Sequence, residues 1–268
     1  MNQLTDVRYA TDGPIATITL DRPEARNAYS EAMVDGLIAA FDAAESDASI
    51  RSIVLTGAGK AFSAGGDLKR MAADQGMFAG DDPVALRRSY IMGIQRIPQR
   101  LARVDKPIVA AINGAAIGAG LDLACMCDLR VAADTAKLGS TFVRVGLVPG
   151  DGGAFFLART IGLPRALELM LTGRVIDAAT ALRLDLVHEV CSPEETIPRA
   201  RAIALEIARH APLAVQLTKR AAYRSFETDL SNALELAATY QGIAQRTDDH
   251  REGVAALLER RDPKFSGR

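Results

Sequence analysis

The sequence predicts an α/β protein built from β-β-α or β-α-β units, followed by a mainly helical C-terminal region. Short apolar runs with strand character alternate with helical patterns as far as about residue 150. This alternation is typical of parallel sheets covered by helices. Two of the runs lead into glycine-rich turns. Beyond about residue 152 helical segments dominate, and the one strand candidate lies near residues 186–190.

The first elements are a hairpin, a helix and a buried strand. A strand candidate at residues 7–10 and the run Ile15–Leu20 flank the turn at residues 12–14. Apolar residues recur at helical spacing from Ser30 to about residue 45, and the Ser30 hydroxyl can cap this helix. The continuous apolar run at residues 52–56 predicts a strand that is buried on both faces.

Two further units and the helical region follow. A helical pattern at residues 83–103 precedes a strand at 107–112, and a shorter strand covers residues 129–132. We divide the chain into a core at residues 1–195 and a helical oligomerisation region at residues 196–268. The helical region should pack on neighbouring subunits, because its apolar positions exceed what one core domain can cover.

Composition limits the partners. The chain has 268 residues, of which 49% are hydrophobic, and its net charge is −1. These values are those of a globular protein without the cation surplus that nucleic-acid binding requires. The longest stretch without charge, residues 107–121, is too short and too rich in glycine for a membrane span. No secretory signal is visible, so we expect a cytoplasmic protein that binds neither nucleic acid nor membrane.

The cysteines and histidines do not predict a metal site. Cys125, Cys127 and Cys191 form no C-x-x-C pair, and the three histidines are scattered along the chain. We therefore expect reduced thiols and no bound metal.

Two glycine-rich turns are the strongest local signals. Residues 56–68 read TGAGKAFSAGGDL, and residues 113–122 read NGAAIGAGLD. Glycines let a ligand approach the backbone, and free N–H groups at a helix start bind an oxyanion. The same glycines could serve only tight turns and close contacts between helix and strand.

Competing motifs fail at decisive residues. A nucleotide-binding P-loop needs Ser or Thr after its lysine, but Ala61 follows Lys60. A dinucleotide fingerprint would need glycine at the position of Phe62. The run AFSAG at residues 61–65 matches a nucleophile elbow except for its first glycine. A serine esterase that uses Ser63, with His188 or His250 as the base, therefore stays an alternative.

Taken together, the motifs resemble the crotonase, or enoyl-CoA hydratase/isomerase, superfamily over nearly the whole chain. The resemblance implies a crotonase-like spiral of β-β-α units with a helical C-terminal trimerisation region, and hence a homotrimer or a dimer of trimers. It also implies an acyl-CoA thioester as substrate and no separate cofactor. The motifs are LDRPEARNA at 20–28, AFSAGGDL at 61–68, Lys106-Pro107, Cys127-Asp128, VGLVPGDGG at 145–153, LTG at 171–173 and TDDHREG at 247–253.

The resemblance also implies the binding residues. The backbone N–H groups of Gly66 and Ala119 would stabilise a thioester enolate. The segment from Ala64 through Gly66, Asp67 and Leu68 to Lys69 would line the path of coenzyme A. Candidate partners of the coenzyme A phosphates are Arg26, Lys69 and Lys264, unless these are only solvated surface charges.

The acid and base residues depart from the hydratase pattern. The resemblance places Asp122 at the first of the two glutamate positions of the family's hydratases and Phe142 at the second. It also implies that Phe142 lies against the substrate. Because Phe142 cannot transfer a proton, Asp151 is the candidate replacement, although it could instead cap the helix that starts near residue 152. We expect hydration or double-bond isomerisation of an enoyl-CoA; the other alternative is a homologue that binds acyl-CoA without turnover.

Overall fold

The computed structural model of the chain describes residues 4–80 and 82–268. Ten strands are Val7–Asp12 (β1), Ile15–Leu20 (β2), Ser52–Gly57 (β3), Ala61–Ser63 (β4), Ile108–Ile112 (β5), Ala115–Ile117 (β6), Leu129–Ala133 (β7), Lys137–Gly139 (β8), Ile176–Asp177 (β9) and Glu189–Cys191 (β10). The α-helices are Glu31–Ser46 (α1), Leu68–Ala72 (α2), Pro83–Met92 (α3), Arg96–Leu101 (α4), Ala119–Cys125 (α5), Gly153–Ile161 (α6), Leu163–Thr172 (α7), Ala178–Arg183 (α8), Pro193–Ala208 (α9), Pro212–Ser225 (α10), Leu230–Gln245 (α11) and Asp248–Glu259 (α12).

The strands form two sheets. The larger has the order β1-β2-β3-β5-β7-β10, and all its neighbours are parallel except the β1–β2 hairpin. The smaller has the order β4-β6-β8-β9. The pairs β3 and β4, β5 and β6, and β7 and β8 each place one strand in each sheet. The chain therefore winds as a spiral of β-β-α turns, and the predicted fold class is confirmed.

The larger sheet is buried on both faces. Along β3, Ile53 and Leu55 point into the main core, while Val54 joins a second cluster on the opposite face. This alternation follows from the two-residue period of a strand. The second cluster is closed by small residues of α9, such as Ala200 and Ala204, which let the helix lie close to the sheet.

Most long elements are found where the sequence predicts them. The hairpin and the strands β3, β5 and β7 are confirmed, and the Ser30 hydroxyl caps α1 by accepting a hydrogen bond from Met33 N at 3.0 Å. The helical pattern at residues 83–103 corresponds to two helices: α3 ends before Gly93, and α4 begins at Arg96. The late strand lies at 189–191, and β9 is an additional strand beyond residue 152.

The helical C-terminal region divides into a part bound to the sheet and a part that is more exposed. Helix α9 spans the predicted division at residue 195 and packs on the larger sheet. Beyond it, α11 and α12 expose large apolar side chains, including Leu230, Leu234, Leu257 and Leu258. The division into residues 1–195 and 196–268 stays a prediction. None of the helices in the described ranges is long and apolar enough to cross a membrane.

Candidate active site

A cavity of about 110 Å³ lies between the two glycine-rich turns. Its wall is almost entirely apolar, and Asp151 is the acidic side chain in it. Among the predicted site residues, six line the cavity: Ala64, Gly66, Leu68, Ala119, Phe142 and Asp151. Other lining residues are Met71, Phe78, Tyr90, Ile94, Ile117, Gly118, Thr141, Val145, Leu147, Val148 and Gly150. The resemblance thus identified residues from distant parts of the chain that the fold brings together.

A buried asparagine, Asn27, stabilises the first glycine-rich turn through hydrogen bonds. The Asn27 amide nitrogen donates to the carbonyls of Ala58 and Ala61 at 2.9 Å and to that of Phe62 at 3.2 Å. Its amide oxygen accepts from Arg22 N at 2.9 Å. One fully buried side chain therefore satisfies several carbonyls that the turn would leave unpaired.

The second turn lies directly against the first. A side chain at Gly120 would lie 2.2 Å from the Ser63 carbonyl oxygen, and one at Gly65 would lie 2.9 Å from Ala119 N. Only glycine permits this approach at both positions. Gly118, with φ of +54°, then turns the chain into α5, so Ala119 is the first residue of the helix.

This approach places two free N–H donors at one cavity wall. Gly66 and Ala119 both line the cavity, and within the described residues neither N–H group donates to a carbonyl. The N–H groups of the first helical turn have no partner inside the helix, so Ala119 N is available to a ligand. Two such donors can bind an oxygen atom that gains negative charge.

Tyr29 contacts both glycine-rich turns, and the sequence did not identify it as a site residue. Its backbone N donates to the Gly65 carbonyl at 2.8 Å, and its buried hydroxyl donates to the Ala119 carbonyl at 3.4 Å. One residue thus touches both segments that carry the free donors. The pKa of Tyr29 is raised well above its usual value by burial and then by the charges of Asp151 and Asp122, so its hydroxyl keeps its proton.

Asp122 and Asp151 form a buried pair of carboxyls beside these donors. Their exposed fractions are 0% and 3%, and none of their four carboxyl oxygens has a hydrogen-bond partner among the described residues. Asp151 lines the cavity, whereas Asp122 lies behind it against the start of α6: a side chain at Gly153 would lie 2.2 Å from the Asp122 Oδ2 atom.

The pKa values of both carboxyls are raised in the folded protein. Burial, followed by the neighbouring Asp151 carboxylate, raises the pKa of Asp122 well above its usual range. Burial also raises the pKa of Asp151. Two buried carboxyls this close hold a proton between them into a pH range where an exposed aspartate is ionised.

The expectation that Asp151 might only cap a helix is wrong. Helix α6 begins at Gly153 after Gly152, and no side chain caps it. Asp151 lines the cavity, and among the described residues its carboxyl oxygens accept no hydrogen bond from the helix N–H groups. Phe142 lines the cavity, and its ring packs 3.7 Å from the place where a side chain on Gly118 would lie; its equivalence to the second glutamate position stays a prediction.

The esterase alternative fails on the contacts of its serine. The Ser63 hydroxyl is fully buried, donates to the Asn27 carbonyl at 2.8 Å and accepts from Gly65 N at 3.1 Å. His188, one of the two candidate bases, instead accepts a hydrogen bond from Arg130 N at 3.1 Å through Nδ1. Ser63 therefore stabilises the first turn and is unavailable as a nucleophile.

The predicted charged binding residues lie outside the cavity wall. Asp67 caps α2 and forms an ion pair of 2.9 Å with Arg22, so its carboxylate is engaged within the fold. Lys69 is exposed on α2. Arg26 is exposed beside the first turn, where its carbonyl accepts from Ala64 N at 2.9 Å. These two cations can meet a ligand that leaves the cavity mouth.

Lys264 lies at the opposite end of the larger sheet within one subunit. The neighbouring Phe265 carbonyl accepts from the Arg51 guanidinium at 2.8 Å, and Arg51 directly precedes β3. The cavity lies beyond the other end of this strand, about 20 Å away for six residues. Lys264 therefore lies far from the cavity of its own subunit, and its role in phosphate binding stays a prediction.

Comparison with known proteins gives a consistent result. The family described as enoyl-CoA hydratase/isomerase matches residues 10–268. A protein named probable enoyl-CoA hydratase echA8 from Mycobacterium tuberculosis is 37% identical over 257 residues, which are 96% of either chain. A 2,3-dehydroadipyl-CoA hydratase from Escherichia coli is 36% identical over 95% of this chain and 96% of its own. The crystal structure of an enoyl-CoA hydratase from Bacillus anthracis superposes with a TM-score of 0.91 at 34% identity, covering 98% of this chain and 100% of the other.

Proposed function

The chain belongs to the enoyl-CoA hydratase/isomerase family, and we propose that it is an enzyme that moves a proton on an enoyl-CoA thioester, with Asp151 as the group that contacts the substrate. One observation carries this proposal: a carboxyl with a raised pKa and two N–H donors share one cavity, and none of the three groups has a partner among the described residues. These are the groups that proton abstraction next to a carbonyl requires.

The two N–H groups would bind the thioester oxygen. Removal of a proton from the acyl chain converts the thioester into an enolate or dienolate, and the charge collects on that oxygen. Donors at Gly66 and Ala119 that are fixed before the reaction would each lower the barrier by about 3 kcal/mol. Tyr29 would help to fix the distance between the two N–H groups, because it donates a hydrogen bond to each of the two glycine-rich turns.

Asp151 would then act as both base and acid. Its carboxylate takes a proton from Cγ of a 2-enoyl-CoA, or from Cα of a 3-enoyl-CoA, and returns it to the other carbon. The double bond moves by one position, and no atom is gained or lost overall. Asp122 is the positioning residue behind Asp151, and its proton lets one carboxyl of the pair be charged while the other is neutral.

The position of Phe142 favours isomerisation over hydration. Hydration needs a second proton carrier across from the first to hold the attacking water, and the phenyl ring of Phe142 lies against Gly118 where such a group would be expected. Hydration is the second candidate, because the relatives are named as hydratases. In that reaction the pair Asp122 and Asp151 would have to hold the water alone.

Other properties of this enzyme are expectations that accompany the proposal. We propose a homotrimer or a dimer of trimers, in which the exposed apolar faces of α11 and α12 are covered by other subunits. We also expect a cytoplasmic enzyme whose only coenzyme is the coenzyme A of its substrate.

Wild-type enzyme in deuterated water tests the reaction. With trans-2-hexenoyl-CoA as substrate, we expect the 3-enoyl isomer and deuterium at Cα or Cγ to appear faster than water is added, as measured by mass spectrometry. Faster water addition would favour the hydratase. Tight binding of the substrate with neither product would support the homologue that binds without turnover.

A further inference from the structure

The cavity has a closed end and an open mouth. Phe78 and Ile94 at the closed end are 7% and 4% exposed, whereas Leu68 and Val148 at the mouth are 58% and 75% exposed. Coenzyme A carries charged phosphates, which are costly to bury without partners, so the coenzyme must occupy the mouth. On the proposed function, the thioester then lies at Gly66 and Ala119, and the acyl group extends towards the closed end.

The closed end offers no positive charge. In the described part of the chain, no Lys, Arg or His side chain lines the cavity, and its ionisable groups are Asp151 and Tyr90. Burial, followed by the charge of Asp151, raises the pKa of Tyr90, so this hydroxyl is neutral. A second carboxyl, that of Asp122, lies directly behind the wall.

Cations near the cavity are engaged or directed outwards. Arg70 on α2 forms an ion pair of 2.6 Å with Glu31, and Arg96 on α4 forms one of 2.6 Å with Asp35. Arg87 on α3 is exposed and is not part of the cavity wall. Among the described residues, the side chains in or directly behind the cavity wall that can carry a charge at neutral pH are therefore those of Asp151 and Asp122.

From this arrangement we infer that the enzyme accepts enoyl-CoA substrates with an uncharged, apolar acyl group and rejects those whose acyl chain ends in a carboxylate. A terminal carboxylate would lose its water, meet no cation and face an acidic pair, and each of these effects is unfavourable. Overall sequence identity to relatives cannot distinguish charged from uncharged acyl groups, because a relative at 36% identity is named for 2,3-dehydroadipyl-CoA, whose acyl chain ends in a carboxylate. The inference rests on the proposed function, since it assumes that the acyl group occupies this cavity.

Two substrates of equal length test the inference. The compounds trans-2-hexenoyl-CoA and 2,3-dehydroadipyl-CoA have the same six-carbon acyl chain and differ in a terminal methyl or carboxylate group. We expect kcat/KM of the wild-type enzyme, for whichever product forms, to be at least about 100-fold higher with hexenoyl-CoA. Values within about threefold of each other, or a preference for the dehydroadipyl compound, would overturn the inference.

Binding separates this inference from the proposed reaction. Titration calorimetry with the saturated analogues hexanoyl-CoA and adipyl-CoA requires no turnover. If neither enoyl substrate reacts, the proposed function fails, and the ratio of the two dissociation constants still decides the inference: at least about tenfold tighter hexanoyl-CoA supports it, and equal affinity overturns it.

A variant at the closed end supplies the missing charge. In Ile94→Lys the ammonium can pair with a terminal carboxylate, so we expect the preference for hexenoyl-CoA to fall at least about tenfold relative to wild type. The matched control Ile94→Met keeps the side chain apolar and should keep the preference. A folded Ile94→Lys enzyme with an unchanged preference would contradict the placement of the acyl group, and if this variant does not fold, the wild-type comparisons decide.

Discussion

Replacing Asp122 with asparagine should stabilise the protein at neutral pH while lowering its activity. Asp122 is fully buried, and neither of its carboxyl oxygens has a hydrogen-bond partner among the described residues. Asparagine has almost the same shape, so the contact of this side chain with Gly153 is kept. The substitution therefore removes the charge and the proton without leaving a cavity.

The size of the gain follows from this environment. Asparagine stays a buried polar group, but it removes the cost of ionising a carboxyl whose pKa is raised in the folded protein. That cost is about 1.4 kcal/mol for each unit by which the pKa is raised, and we expect Asp122→Asn to gain about 2 kcal/mol. For a chain of this length, that corresponds to a rise in melting temperature of roughly 4–8 °C. An amide next to Asp151 can also donate to that carboxylate, whereas the ionised carboxylate of Asp122 repels it.

The stability gain of Asp122→Asn should increase with pH. The pKa of Asp122 is raised in the folded protein, so the folded state holds a proton that the unfolded chain releases above about pH 4. The folded state then binds more protons than the unfolded state, and stability falls as the pH rises through this window. The advantage of Asp122→Asn should be smallest near pH 4, grow with pH and level off above the raised pKa.

Calorimetry across this range, combined with kcat for isomer formation, checks the prediction. Asp177→Asn is the matched control, because Asp177 is exposed, caps α8 and has a lowered pKa, and asparagine caps a helix almost as well. The control should change neither the melting temperature nor kcat appreciably. Equal melting temperatures of wild type and Asp122→Asn at every pH, or a fully active variant, would refute the reasoning.

Four further results are expected. Asp151→Asn should slow isomer formation by about 100-fold or more with no loss of melting temperature, because Asp151 caps no helix; a fully active variant would contradict its role. Ala119→Pro should remain folded, as judged by circular dichroism, yet lose turnover with its N–H donor; unchanged activity would move the oxyanion site elsewhere. Gly153→Ala should lower kcat at least about tenfold, since its methyl group would displace the Asp122 carboxyl; unchanged kcat would show that Asp122 can move freely. Light scattering at micromolar concentration should give a trimer or hexamer, and a stable monomer would disprove the assembly.

Periodicity predicts the long elements of this fold and misses the short ones. Helix α1 and strand β3 each span enough residues to show their period. Strands β4, β6 and β8 have only three residues each, which is too few for alternation to be visible. They form because the spiral brings successive turns of the chain side by side, and that is a long-range effect.

The site shows the same division between local and long-range information. The family resemblance identified Gly66, Ala119 and Asp122, and the structure places all three in or directly behind one wall. Spacing could not decide whether Asp151 is a cap, because an aspartate before a helix suits either role. Tyr29 was missed because its hydroxyl acts on Ala119, 90 residues further along the chain. The available signal was the position of Tyr29, which directly follows the LDRPEARNA motif. A tyrosine that is fully buried there needs a hydrogen-bond partner for its hydroxyl.

The acidic pair also bears on the alternative of a homologue that binds acyl-CoA without turnover. Binding of a thioester through Gly66 and Ala119 requires free N–H groups and an apolar cavity, but it does not require two buried carboxyls. The pair destabilises the fold at neutral pH, because burial disfavours its ionised form and its oxygens have no protein partners in the described chain. Asparagine at position 122 would remove the cost of ionisation with almost no change of shape. A chain that carries both carboxyls, with Gly153 making room for one of them, is therefore better explained by proton transfer than by binding alone.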